Sequence, residues 1–163
     1  MSASDIHQQV AAEVLSLAKA RGVKIATAES CTGGMLMAVL TDIPGSSAVA
    51  ERGFVTYSNA AKVEMLGVSK RVIDEQGAVS EQVARAMAEG ALRESYADLA
   101  LSITGVAGPG ATGLKPEGRV CFGMAREGED IRTITVEFGP LGRDKVRAAA
   151  VHYALNMMMD GLS

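Results

Sequence analysis

Four residues in this chain have types suited to joint chemistry: Ser30, Tyr57, Lys62 and Thr104. A serine hydroxyl is a poor nucleophile until a base takes its proton. The two histidines, His7 and His152, lie near opposite ends of the sequence, so a Ser-His-Asp arrangement is disfavoured and Lys62 becomes the candidate base. At an ordinary pKa of ~10.4, only about one lysine in a few thousand is neutral at pH 7. A lysine that works as a base is tuned down to roughly 7–8. Two influences would push Lys62 that way: burial, and a position in the first turn of a helix, whose positive dipole end disfavours an ammonium. Tyr57 would hold the lysine or relay a proton. Backbone amides over Thr32, Gly33 and Gly34 would form an oxyanion hole.

Other residues near these four have competing readings. Cys31 is a rival nucleophile, but adjacent side chains point differently and a small buried thiol is commonly packing. Glu29 would either pair with a cation or ribose hydroxyls, or stand as a surface carboxylate. Arg143, at a helix start after Gly139-Pro140-Leu141-Gly142, would reach a phosphate or pair with Asp144 or Glu137. The small-residue loop from Gly105 to Gly113 lacks Gly-Lys-Ser/Thr and is not a P-loop. Its backbone amides would wrap a ligand, or it is a surface loop. No Cys/His cluster has metal-ligand spacing.

These residues depend on elements that the pattern predicts. Apolar positions Ala11, Val14, Leu15 and Leu17-Ala18 recur at helical spacing from Ser4 to Arg21 and stop at Gly22. Val23 to Ala26 reads as a strand, followed by a turn through Thr27 to Gly34 and a helix from Gly33 to about Asp42. Ile43 to Ser47 is a turn. Ala50 to Ser58 reads as a second strand, with Asn59 capping a helix from Ala60 to Leu66 that Gly67 closes. Ser69 to Gln76 gives a short helical turn, and Ser80 caps a longer helix to about Ser95. Asp98 to Thr104 is a third strand. Arg119 to Arg126 and Ile131 to Phe138 form a hairpin, and a last helix runs from about Gly142 to Met159. This order predicts an α/β fold: a three-layer α/β/α sandwich with a mixed, mostly parallel sheet and a late antiparallel hairpin. In such sheets ligands bind outside the carboxyl ends of the strands. Parallel neighbouring strands would therefore bring Ser30, Tyr57, Lys62 and Thr104 to one crevice.

The totals narrow the possible functions. The 163 residues suit a single domain, and 48% hydrophobic with 21% charged residues is globular. A net charge of −3 with dispersed Lys and Arg leaves no footprint for nucleic acid, and 4% aromatics gives no stacking surface for single strands. No apolar run approaches the ~20 residues of a membrane span, and the amino end is polar, without a signal-peptide core. Two cysteines without such a signal point to a reducing cytoplasm. The Met157-Met158-Met159 run is either core or a self-association surface, which makes a homo-oligomer the expectation.

Several stretches, in this order, resemble the carboxyl-terminal domain of the competence/damage-inducible protein CinA. They are TAESCTGG (Thr27 to Gly34), DIPGSS (Asp42 to Ser47), ERGFVTYSNAAK (Glu51 to Lys62) and GAVSE (Gly77 to Glu81). SITGVAGPG (Ser102 to Gly110), KPEGRV (Lys115 to Val120) and the Gly142-Arg143 helix start continue the series. The resemblance covers nearly the whole chain from Val23 onward and treats residues 1–163 as one domain. It implies nicotinamide mononucleotide amidohydrolase activity, which releases ammonia and leaves nicotinate mononucleotide without a metal or organic cofactor. It also implies Ser30 as nucleophile, Lys62 as base, Tyr57 and Thr104 in the polar network, and substrate contacts from Glu29, Thr32, Gly33, Gly34, Gly105 and Arg143. Two-domain relatives carry an amino-terminal molybdopterin-binding-like domain, and a pyrophosphatase activity tied to it is not carried over. The alternatives are a non-catalytic nucleotide- or partner-binding module of the same fold, or hydrolysis of a different amide or ester.

Overall fold

The computed structural model describes residues 3–163. Met1 and Ser2, at the start of the polar amino end, lie outside the described residues. The chain runs α1 (Ala3–Arg21), β1 (Ile25–Glu29), α2 (Met35–Thr41), a 3-10 turn at Ser46–Ala48, β2 (Ala50–Val55), α3 (Asn59–Leu66) and α4 (Lys70–Gln76). It continues through α5 (Glu81–Arg93), β3 (Leu99–Gly105), β4 (Arg119–Arg126), β5 (Arg132–Glu137) and α6 (Arg143–Leu162). One five-stranded sheet has the order β2-β1-β3-β4-β5. β1 pairs in parallel with both β2 and β3, whereas β4 is antiparallel to β3 and to β5. The sheet is mixed, as expected: four strands run one way and β4 runs against them. Residues 106–118 contain no helix to carry a crossover, so the chain returns antiparallel after β3.

Alternation along the strands sorts large from small residues. Ile25, Leu99, Leu101, Ile103 and Phe122 face one side, where they pack with Val14 of α1, Leu36 of α2, and Val146 and Leu155 of α6. Ala26, Ala28 and Ala100 face the other, against Leu66 of α3, Ile73 of α4, and Val83 and Met87 of α5. Small side chains on that second face let α5 lie close to the sheet. Ser102 Oγ donates to the Ala84 carbonyl at 2.6 Å, and a Cβ on Gly123 would sit 2.5 Å from the same carbonyl oxygen. Within the methionine run Met158 is fully buried, and Met157 and Met159 are partly buried against the same cluster. Packing of α1 on α6 stacks the rings of His7 and His152, 6.0 Å apart.

Two boundaries matter for the site. β1 continues to Glu29, beyond the Ala26 at which hydropathy alone ends it. Thr27 and Glu29 are polar but remain in strand alternation, and their side chains are satisfied within the protein. The cap of α3 is Ser58, whose hydroxyl accepts the Ala61 amide at 3.0 Å, and Asn59 is the first helical residue. Ser58 is the better placed oxygen because the last strand residue is Val55, which leaves Thr56 to Ser58 as an extended connection. Among the described residues no helix is long and apolar enough to cross a membrane.

Candidate active site

Because β1 lies between two parallel partners, the carboxyl ends of β2, β1 and β3 stand side by side on one edge. The chain goes from β1 to β2 on one side and later to β3 on the other, so the crevice outside β1 is the point where strand order reverses. A cavity of about 280 Å³ opens there. Ser30, Cys31, Tyr57, Thr104, the Gly105 to Gly110 loop and Arg143 all border it.

Ser30 borders this crevice, and Lys62 meets it from beneath without bordering the cavity. Ser30 follows the last residue of β1, and its amide donates to the Ile103 carbonyl at 3.0 Å, which ties it to β3. Lys62, in α3, is 1% exposed. Its Nζ is 3.1 Å from Ser30 Oγ and donates to the carbonyls of Thr56 at 2.8 Å and Tyr57 at 3.3 Å. Burial holds the Lys62 pKa below its ordinary value. A neutral amine has two N–H bonds and one lone pair. In that neutral form the two carbonyls would take the N–H bonds, leaving the lone pair for the Ser30 hydroxyl. Burial also raises the Cys31 thiol to about 11. Cys31 is therefore a protonated, packed thiol at neutral pH, as its position beside the serine suggested.

The turn after Ser30 is tightly connected. The Gly33 amide donates to the Ser30 carbonyl and the Met35 amide to the Thr32 carbonyl, both at 3.0 Å. Among the described residues no backbone carbonyl accepts from the amides of Cys31 or Thr32, and the Cys31 amide lies against its own thiol. This revises the oxyanion assignment to Thr32, Gly33 and Gly34: the Gly33 amide is already bonded to the Ser30 carbonyl, and Cys31 is the residue of the turn after Ser30 that borders the cavity. Both glycines have positive φ, 59° and 101°, so their purpose is the sharp bend into α2.

Glu29 requires a second correction. It is 0% exposed and does not border the cavity. One carboxylate oxygen accepts from Thr32 Oγ1 at 2.7 Å and the Leu36 amide at 2.9 Å. The other accepts from Thr27 Oγ1 at 3.1 Å and the Met37 amide at 3.0 Å. Glu29 thus caps the start of α2 from the neighbouring strand, a role usually filled by a residue of the helix itself. The Thr32 side chain is turned into the same network and away from the cavity.

Tyr57 and Arg143 form a separate pair at the cavity mouth. Tyr57 is 59% exposed, and its hydroxyl accepts from Arg143 Nη2 at 2.7 Å. It is the Tyr57 carbonyl, not the phenol, that meets Lys62, so a proton relay through the Tyr57 hydroxyl has no path here. Arg143 Nη1 donates to the Gly108 carbonyl at 2.7 Å, which leaves Asp144 and Glu137 unused as partners. Thr104 is buried, and its hydroxyl donates to the Ala78 carbonyl at 2.8 Å. It fastens the end of β3 to the segment before α5. Gly105 is needed for close approach, because a Cβ there would fall 2.7 Å from Val120 Cγ2.

Three participants were not identified from sequence. Glu117 accepts from the Gly110 amide at 2.7 Å and the Gly142 amide at 3.1 Å, binding the loop to the start of α6. Thr56 supplies the shortest partner of Lys62 through its carbonyl. Arg147 donates to the carbonyls of Cys31 and Thr32 at 3.0 and 3.2 Å. The only sequence signal for Arg147 is its place one helical turn after Arg143. Among the described residues no group of three or more His, Cys, Asp or Glu side chains could hold a metal ion.

Comparison with known proteins agrees with this architecture. The family model for the CinA C-terminal domain matches residues 7–162. A protein from Enterobacter agglomerans named nicotinamide-nucleotide amidohydrolase PncC is 47% identical over 95% of this chain and 94% of its own length. The protein of that name from Escherichia coli strain K12 is 49% identical over 92% and 91%. A CinA-like protein from Chlorobium phaeobacteroides is 56% identical over 76% of this chain, which spans only 30% of that relative's length. The crystal structure of the competence/damage inducible protein CihA from Agrobacterium tumefaciens superposes with a TM-score of 0.93 at 41% identity, covering 95% of this chain and 94% of that one. With the family model spanning all but the extreme ends, the chain belongs to the CinA C-terminal domain family.

Proposed function

We propose that this chain hydrolyses the carboxamide of nicotinamide mononucleotide to nicotinate mononucleotide and ammonia, with Ser30 as nucleophile and Lys62 as its base. The observation that carries the reading is the buried Lys62 amine, 3.1 Å from Ser30 Oγ and otherwise bonded only to backbone carbonyls. The names of the two relatives that match this chain nearly end to end support the choice of amide.

In the proposed sequence, neutral Lys62 takes the Ser30 proton as Oγ attacks the amide carbon. The lysine becomes an ammonium in contact with the Thr56 and Tyr57 carbonyls, which offset the charge at that moment. The negative oxygen of the tetrahedral intermediate is received by the amides of Cys31 and Thr32. Collapse breaks the C–N bond, and the departing nitrogen takes the proton from Lys62 and leaves as ammonia. Neutral Lys62 then removes a proton from water as it attacks the ester carbon. Expulsion of Ser30 Oγ, reprotonated by Lys62, yields the acid, which ionises. Arg143 at the mouth is the cation placed for the substrate phosphate, exchanging its Tyr57 or Gly108 bond for it.

Incubation of the purified protein with nicotinamide mononucleotide, with ammonia and nicotinate mononucleotide measured together, tests the reading. Equal amounts of both products are expected. Binding without either product would replace the hydrolase with a binding module. Turnover of other amides alone would replace the substrate.

A further inference from the structure

We propose that Arg147 is a positioning residue for the hydrolysis, holding the turn after Ser30 so that its unbonded amides stay aimed at the reacting oxygen. The inference rests on the reading of Ser30 as the nucleophile.

Arg147 does not border the cavity and hydrogen-bonds to two carbonyls of the turn. Its Nε donates to the Cys31 carbonyl at 3.0 Å and its Nη2 to the Thr32 carbonyl at 3.2 Å, both partly buried. A peptide unit is planar and trans, so its C=O and N–H point in opposite directions. Fixing the Cys31 carbonyl on the guanidinium therefore aims the Thr32 N–H away from α6. Fixing the Thr32 carbonyl sends the Gly33 N–H the same way, where it reaches the Ser30 carbonyl at 3.0 Å. Through that bond the guanidinium acts on the peptide that carries the nucleophile. Hydrogen bonds in series polarise one another, so a cation at the carbonyl end of this turn also strengthens the donors at its amide end.

The surroundings fit this role. Gly33 lies directly against the guanidinium: a Cβ there would be in ordinary van der Waals contact, 3.5 Å from Arg147 Nη2. Glu29 holds the side chain of the same turn through Thr32 Oγ1 and the start of α2 through the Leu36 and Met37 amides. The planar fork of arginine can hold two carbonyls at fixed spacing, which the point charge of lysine cannot.

The test compares Arg147→Ala and Arg147→Lys with the unaltered protein, at equal folded fraction by near-UV circular dichroism. A displacement of about 1 Å at a reacting group costs up to ~100-fold in rate. The expected result is therefore a kcat lower by roughly 10- to 100-fold with KM for nicotinamide mononucleotide within about threefold. Added guanidinium chloride should restore part of the Arg147→Ala rate and none of the Arg147→Lys rate. Labelling of Ser30 by a fluorophosphonate, followed by intact mass, should slow in both variants. Unchanged kcat and labelling in either variant at full folding would overturn the proposal, as would a loss confined to KM. Should Arg147→Ala fail to fold, Arg147→Lys carries the same decision. If the unaltered protein releases no ammonia, the amidohydrolase reading fails separately. The labelling rate then decides the role of Arg147, and absence of Ser30 labelling in the unaltered protein counts against it.

Discussion

Lys62 Nζ lies 3.1 Å from Ser30 Oγ, and its remaining partners are two backbone carbonyls rather than a carboxylate. A carboxylate partner would hold the lysine charged, whereas carbonyls accept its protons without fixing its ionisation. Replacing Ser30 by Ala should therefore abolish ammonia release, and Lys62→Met should do nearly as much. The double variant should be no worse than Ser30→Ala, because the pair acts as a unit. Losses on the order of 10⁴-fold or more are expected for each. Initial rates in a coupled ammonia assay check this, and full activity in either single variant contradicts the pairing.

The same burial makes both rate and stability depend on pH in a defined direction. Activity requires the neutral amine, so kcat/KM should rise with pH through the lowered pKa of Lys62 and level off above it. For stability, the unfolded chain binds the lysine proton up to its ordinary value of 10.5, while the folded chain releases it earlier. Between the folded and unfolded values the unfolded state holds more protons, so stability from this group rises with pH across that window. Below the folded pKa the full penalty for burying an ammonium remains. Denaturant midpoints should rise from pH 7 toward pH 10 more steeply in the unaltered protein than in Lys62→Met. Parallel slopes would mean that Lys62 is not desolvated.

Tyr57→Phe removes the hydroxyl that Arg143 holds at 2.7 Å but leaves the Tyr57 carbonyl on Lys62. The expected effect is on KM, by about 3- to 10-fold for one exposed hydrogen bond, with the pH limb of kcat/KM in place. A displaced limb would show that the phenol does take part in proton transfer. Arg143→Ala should raise KM more than Tyr57→Phe, since the charge itself is lost.

Glu29→Gln tests the cap on α2. The carboxylate accepts four hydrogen bonds in a fully buried position, and an amide nitrogen would confront donors with a donor. A loss of about 2–3 kcal/mol is expected, or a fall in Tm of roughly 4–12 °C for a domain of this size. KM should hardly change if the residue only supports the turn. A large KM effect at unchanged Tm would return Glu29 to the substrate.

The contrast between Glu29 and Ser30 shows what sequence could and could not convey. Strand ends, caps and small-residue turns are local signals, and these placed Ser30, Tyr57, Lys62 and Thr104 on one edge of the sheet. They also gave the hairpin and the order of layers. Where a side chain points once it arrives there depends on partners far along the chain. Arg147 reaches Cys31 across 116 positions, and Arg143 reaches Tyr57 across 86. Glu29 looked available because carboxylates are usually exposed; its partners are helix amides that no residue type reveals. Tyr57 looked like a relay because its hydroxyl is its conspicuous group, whereas its carbonyl is what touches the lysine.

The place of β1 between β2 and β3 bears on how such a site can diversify. The proposed nucleophile follows β1 and the proposed base sits in α3, the helix that follows the neighbouring strand β2, so their meeting depends on two strands held about 4.8 Å apart by the backbone ladder and on the short connection from Thr56 to Ser58. The rim comes from elsewhere: the loop after β3, strapped by Glu117, and the first turn of α6. Bond-making and substrate choice are thus held by different parts of the chain. Descendants of this fold can exchange the rim for one that admits another amide while the machinery beneath it stays in register.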